Sequence, residues 1–209
     1  MVQRLRGEGI RCEPVFAAMD KVPRHLFVDT ALAIQAYEDT SLPIGHGQTI
    51  SKPSVVARMI ELLFDGASAR AAGHLGRTLE VGTGCGYQTA LLAQLARRVV
   101  SIERLRPLYD KAVLNLAPWR LDHVRLVYGD GMLGHGPNAP YDSLVAAAGG
   151  DDLPPAWLAQ LAVGGRLVAP MHRWGGRGQV LVVVDRHEGG LVRTEHESVH
   201  FVPLKSGVV

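Results

Sequence analysis

The densest run of chemistry-bearing residues is Glu80-Val81-Gly82-Thr83-Gly84-Cys85-Gly86-Tyr87. Glycines at alternate positions let the backbone turn tightly and let a ligand approach bare N–H groups at the positive end of a following helix. The G-x-G-x-G spacing departs from the dinucleotide fingerprint G-x-G-x-x-G in its last step, and the Lys and Ser/Thr of a phosphate loop are missing. That argues against a nucleoside triphosphate. Glu103 follows Gly82 by 21 residues, at the end of a second strand, where a carboxylate accepts hydrogen bonds from a ribose diol. Glu80 adds a second negative charge before the loop, and Gly129-Asp130-Gly131 offers an Asp that can accept from an adenine amino group. Two carboxylates repel a pyrophosphate but suit a ligand carrying a cation, such as the sulfonium and amino groups of S-adenosylmethionine. Taken alone, the glycine run is as easily a plain strand-to-helix turn and Glu103 a solvated strand end. Their coincidence with Asp130 at successive strand ends is what points to a donor site.

These residues need elements to hold them. Pro14 near the start of 14–19 and Pro23 after it bracket a short helix, and a second helix is expected after Phe27. Residues 41–51, with Pro43, Gly45 and Gly47, read as a structured loop, and 67–76 as a mobile small-residue connector. Pro53 sits in a first-turn position before Val55, Val56, Met59, Ile60 and Leu63 at helical spacing. From Arg77 onward, strands at 78–81, 99–102, 124–128, 144–147 and 166–169 alternate with helices at 87–95, 104–116 and 155–161. Such alternation predicts an α/β, doubly wound, mostly parallel sheet of Rossmann-like type behind an N-terminal helical segment. The stretches 179–185 and 191–202, joined by Glu188-Gly189-Gly190, predict an antiparallel C-terminal hairpin.

Composition narrows the classes. With 47% apolar residues in 209, one packed core is affordable. The 22 basic and 20 acidic residues form no stripe, which excludes a dedicated nucleic-acid binder. Cys12 and Cys85 make no C-x-x-C pair, and a reducing compartment suits them. No apolar run has the length of a signal core or a membrane span, so a cytoplasmic chain acting away from membranes is expected. The 24 glycines exceed the usual ~7% share and call for tight backbone somewhere.

Residues 79–90, L-E-V-G-T-G-C-G-Y-Q-T-A, resemble the first motif of the protein-L-isoaspartate O-methyltransferases, and 42–53, L-P-I-G-H-G-Q-T-I-S-K-P, resemble that family's own signature. V-P-R-H-L-F-V (22–28), A-Y-E-D (36–39), V-S-I-E-R (100–104), G-D-G (129–131) and F-V-P-L (201–204) extend the similarity from about residue 10 to the end. The resemblance implies one methyltransferase domain over 1–209, with helices and an acceptor-side loop in 1–66 and a donor-binding core in 77–209. It implies S-adenosylmethionine as donor, S-adenosylhomocysteine as product and no metal, with Glu80, Gly82, Thr83, Gly84, Gly86, Glu103, Asp130 and Gly131 around the donor. The implied substrates are isoaspartyl proteins and peptides, with neither nucleic acid nor membrane as partner, and the chain is expected to be a monomer. The product ester cyclises unaided to a succinimide, which reopens partly to normal aspartate.

A carboxylate with a pKa near 3.9 is already ionised at neutral pH, so the chemistry asks for orientation rather than a general base. By resemblance, Ser51 is the catalytic residue beside the reacting carboxylate, with Gln48, Thr49, Ala148 and Gly149 as further substrate contacts. Read from the residues alone, Ser51 is more readily an N-cap for the helix at Pro53 than a catalytic group. Where the family carries Thr-Ala, a small residue and Pro, this chain has Ala147-Ala148-Gly149-Gly150 followed by Asp151 and Asp152. A looser loop and repulsion of an anionic substrate are the expectations there. They leave open a different carboxylate or small-molecule acceptor, or a donor-binding relative without turnover. His196-Glu197-Ser198-Val199-His200 spells the zinc-protease motif, but its surroundings read as strand, where positions four apart lie roughly 13 Å from each other. Trp119, Trp157 and Trp174 read as packing residues.

Overall fold

A computed structural model describes residues 1–209. Two short helices open the chain, α1 (Val2–Gly7) and α2 (Glu13–Lys21), the latter with Pro14 in its first turn, where a missing N–H costs nothing. Residues 30–37, expected as a helix, instead wind as a 3-10 helix after a first 3-10 turn at Arg24–Phe27. The glycine-rich stretch read as a loop is a small hairpin, β1 (Leu42–Gly45) and β2 (Gln48–Ile50), paired antiparallel. Gly45, His46 and Gly47 all take positive φ at its tip (99°, 54° and 68°), the conformation a tight hairpin turn demands.

Helix α3 (Pro53–Phe64) starts at Pro53 as the sequence predicts and buries Val56, Met59, Ile60 and Leu63 along one face. The connector expected to be mobile folds into α4 (Ala67–Ala72), which buries Ala69 and ends on Gly73 in the left-handed region. There follow β3 (Arg77–Val81), α5 (Tyr87–Leu95), β4 (Arg98–Glu103), α6 (Arg106–Leu116), β5 (Val124–Tyr128), β6 (Tyr141–Ala146) and α7 (Pro155–Gln160). The chain closes with β7 (Leu161–His172), β8 (Gln179–His187) and β9 (Gly190–Val199).

Seven strands form one sheet in the order β5-β4-β3-β6-β7-β8-β9. The first five pair in parallel, while β8 runs antiparallel to β7 and β9 antiparallel to β8. The interior strands are buried almost end to end because helices cover both of their faces. On one face, Phe16, Met19, Phe27 and Met59 of the N-terminal segment pack with Leu91, Val99 and Val183 into a single core. On the other, Trp157 is fully buried among Leu79, Leu144 and Leu167. Its indole N–H donates to the Gly131 carbonyl at 2.7 Å, which satisfies the one polar atom of the ring. Trp174, by contrast, is exposed. His196 and Glu197 lie on β9, as the strand reading required, and Glu197 is committed to an ion pair with Arg58.

Candidate active site

The chain reverses direction across the sheet between β3 and β6, so the loops that leave their carboxyl ends diverge and open a crevice. A cleft occupies it. Its floor is the loop after β3, where Gly82 (φ 92°) and Gly84 (φ 58°) adopt backbone that side chains resist. A Cβ on Gly84 would come within 3.2 Å of Ile44, so the floor also lets the β1–β2 hairpin close over it. Thr83 and Gly84 line the cleft beside Glu103 and Gly131. Gln48, Thr49 and Ser51 line it from the hairpin side, and Ala148 from the loop after β6.

Glu103 is almost fully buried and works as a clasp. One carboxylate oxygen accepts from the Gly84 N–H at 2.8 Å, the other from the Arg104 and Leu105 N–H groups at 2.9 Å each. A carboxylate has about four acceptor sites, so capacity remains on the oxygen facing Gly84 for one more donor.

Four expected site residues sit off the cleft. Glu80 lies behind the floor, fully buried, because strand alternation turns its side chain into the protein. Its carboxylate accepts from the Thr89 and Ser101 hydroxyls, and Ser101 shares a 2.6 Å hydrogen bond with Thr83 of the floor. Burial pushes the Glu80 carboxyl up to about 7, while those hydroxyls pull it back. Asp130 uses one oxygen to accept from the Met132 N–H (2.9 Å) and the other from the Gly207 N–H (2.6 Å). It ties residues 206–207 across the strand ends rather than facing the cleft. Gly86 (φ 90°) begins α5, and a Cβ there would meet Leu116 at 3.1 Å, so it shapes the turn and not the floor. Gly149 faces Gln179, whose amide nitrogen would stand 2.3 Å from an added Cβ.

The Gly149-Gly150 loop is not loose. Gly149 donates to Val202 and accepts from Leu204, while Gly150 donates to Pro170 and accepts from His172. A proline at either position would forfeit one of those bonds. Asp151 meets His172 and Asp152 meets Arg193, and neither lines the cleft.

Ser51 does not cap α3. Lys52 holds the N-cap position without a side-chain bond, and in the first turn the Ser54 N–H and hydroxyl donate to the Asp39 carboxylate (2.8 and 2.7 Å). The Ser51 hydroxyl bonds nothing within the chain and lies on the cleft wall, while its carbonyl accepts from Arg24 at 2.7 Å.

Reading the residues missed part of the wall. Val202, Pro203, Leu204 and Lys205 roof the cleft after β9, and Tyr87 and Gln88 face it from the start of α5. The F-V-P-L similarity was the available signal for the roof. Arg24, buried beneath the hairpin, had none beyond its place in V-P-R-H.

A doubly wound sheet with a glycine-floored cleft at its switch point and a strand-end carboxylate has the architecture of a Rossmann-like methyltransferase. The sequence carries the assignment further. The family model for protein-L-isoaspartate(D-aspartate) O-methyltransferase (PCMT) matches residues 1–209, and the chain belongs to that family. It is 67% identical over 208 residues to the protein-L-isoaspartate O-methyltransferase of Methylibium petroleiphilum, covering 99% of this chain and 76% of that one. For the enzyme of Leptothrix cholodnii the identity is 64%, covering 99% and 72%. For that of Burkholderia vietnamiensis it is 56%, with all of this chain spanning 66% of the relative. A solved protein-L-isoaspartate O-methyltransferase superposes with a TM-score of 0.85 at 25% identity, over 99% of this chain and 65% of that one. A Plasmodium falciparum PCMT structure in complex with S-adenosyl-L-homocysteine shares the fold, with a TM-score of 0.80 at 24% identity over 98% and 96% of the two chains.

Proposed function

We propose that this chain methylates the free carboxylate of L-isoaspartyl residues in damaged proteins and peptides, beginning their repair through a succinimide. The observation that carries the reading is the unbonded hydroxyl of Ser51, a residue that lines the same cleft as the glycine floor that Glu103 holds in place. The residues fit S-adenosylmethionine: the floor offers bare backbone where Cβ atoms would intrude, and Glu103 keeps acceptor capacity for a hydroxyl. Gly82, Thr83, Gly84, Glu103 and Gly131 would hold the donor from the floor side. When bound, S-adenosylmethionine supplies a sulfonium methyl whose C–S bond breaks, its electron pair passing to sulfur, as the acceptor oxygen bonds the carbon and leaves S-adenosylhomocysteine.

The chain's part is positional. Ser51 donates to one oxygen of the ionised acceptor and turns the other toward the donor, with Gln48, Thr49 and Ala148 flanking it. Closure by the hairpin and by residues 202–205 excludes water from the reacting atoms. No proton has to be removed from an acceptor that is already ionised. Residues 1–66 serve as the acceptor side and 77–209 as the donor core of one working unit. Free thiols at Cys12 and Cys85 suit work in the cytoplasm.

The test is incubation with labelled donor and an isoaspartyl peptide beside its normal aspartyl twin. Label confined to the isoaspartyl peptide is the expected result; equal labelling, or none, rejects the reading.

A further inference from the structure

Beneath the acceptor hairpin lies a buried charge that no carboxylate pairs. Arg24 is fully buried in its 3-10 turn. Its Nε–H donates to the Ala36 carbonyl at 2.8 Å and its Nη2 to the Ser51 carbonyl at 2.7 Å. The guanidinium carbon stands 4.9 Å from the centre of the Tyr87 ring. Its Nη1 and the Tyr87 hydroxyl are both buried without a hydrogen-bond partner. Arg24 enters none of the ion pairs of the molecule. The acidic neighbour Asp39 accepts from Ser54 with each oxygen and makes no hydrogen bond or ion pair with Arg24.

A buried cation without an ion-pair partner is costly for a fold to keep, and an apolar side chain of the same volume would avoid the cost. Burial pushes the guanidinium pKa down, yet an arginine starts so high that it stays charged. The two groups it engages, Ser51 and Tyr87, both line the cleft, whereas Arg24 itself does not.

We propose that Arg24 is a positioning residue for the acceptor: it fixes the Ser51 backbone and sets a positive potential beneath the hairpin that favours an anionic acceptor over a neutral one. The inference rests on the reading that the acceptor is a carboxylate. In a low-dielectric wall a fixed charge acts through intervening atoms far better than in water, and it is oriented before the substrate arrives. The incoming carboxylate is then the counter-charge that the fold lacks. Ser51 orients it, and Arg24 selects its charge.

The experiment compares wild type with R24Q, which keeps donors but no charge, R24M, which keeps neither, and R24K, which keeps charge without the planar fork. Dissociation constants are measured in the presence of S-adenosylhomocysteine for an isoaspartyl peptide and for its neutral isoasparaginyl twin. Melting curves and S-adenosylhomocysteine binding verify that each variant is folded with an intact donor side. Wild type is expected to prefer the acid by at least about tenfold. R24Q and R24M are expected to lose roughly 10- to 100-fold in binding the acid and no more than about threefold in binding the amide. R24K should keep the preference within about threefold.

Equal weakening of both peptides would make Arg24 a mere scaffold and overturn the proposal. So would an unchanged preference in either neutral variant. Should neither neutral variant fold, the wild-type preference and its retention in R24K still decide, and the absence of either rejects it. A wild type that methylates the isoaspartyl peptide yet shows no acid preference sinks this inference alone. A wild type that methylates neither twin sinks the functional reading instead.

Discussion

The Ser51 hydroxyl is held in place by its backbone yet bonded to nothing in the chain, which leaves its full hydrogen-bonding capacity for a ligand. Ser51→Ala is expected to lower kcat/KM for an isoaspartyl peptide by about 10- to 100-fold, the worth of one hydrogen bond to a charged group. Affinity for S-adenosylhomocysteine, measured calorimetrically, should stay within about twofold. Glu103 predicts the reverse division. Its three backbone donors and its spare acceptor site draw on both oxygens of the side chain, and an amide replaces one of them with a donor. Glu103→Gln should weaken S-adenosylhomocysteine binding by about tenfold or more. Both residues were legible as types at informative positions. Glu80 and Asp130 lie off the cleft for reasons that strand-end position does not carry. A strand-end position shows where a carboxylate is, but not whether alternation turns it inward, as for Glu80, or whether backbone N–H groups capture it, as for Asp130. Arg24 was silent because nothing in its local sequence distinguishes a buried guanidinium from a solvated one.

Glycines sort differently at the scale of elements. Gly86 begins α5 in the left-handed region and presses toward Leu116 of α6. Gly86→Ala is expected to cost roughly 1–3 kcal/mol in urea denaturation, from the strained φ and the crowded Cβ together. The alternation of strands and helices after Arg77 was readable because each element is long enough to show its period, and α5 falls where the pattern put it. The β1–β2 hairpin was not, since strands of four and three residues show almost no alternation and the glycines around the turn look like loop. Helix α4 escaped for a similar reason: six residues of mostly small side chains carry no amphipathic signature. The supposed looseness of Gly149-Gly150 rested on composition, whereas non-local bonds to Val202, Leu204, Pro170 and His172 decide its stiffness.

Two properties belong to the molecule as a whole. The first is its response to pH. Glu80 titrates near its ordinary 4.5 in the unfolded chain and at about 7 in the folded one. Between those values the unfolded chain releases a proton that the folded chain keeps, so this group's contribution to stability, full below about 4.5, is lost as pH rises to about 7. Urea midpoints of Glu80→Gln should therefore fall less steeply between pH 5 and 7 than those of wild type. The second is ligand linkage. The cleft takes its walls from residues as distant as Ile44 and Lys205, so a donor-site ligand binds only the completed fold. S-adenosylhomocysteine at a hundred times its Kd should add about 2.7 kcal/mol, raising Tm by roughly 5–10 °C in differential scanning fluorimetry.

The tether at Asp130 bears on how this molecule itself ages. Asp130-Gly131 is a sequence prone to isomerise, because glycine puts no side chain in the way of the ring that must close. Closure requires the aspartyl side chain to swing onto the following backbone nitrogen. Here both carboxylate oxygens are pinned, one by the Met132 N–H and one by the Gly207 N–H. While residues 206–207 stay tied down, the fold shields this one Asp-Gly step from the lesion the enzyme mends in others; once unfolded, it becomes a candidate for the chain's own chemistry.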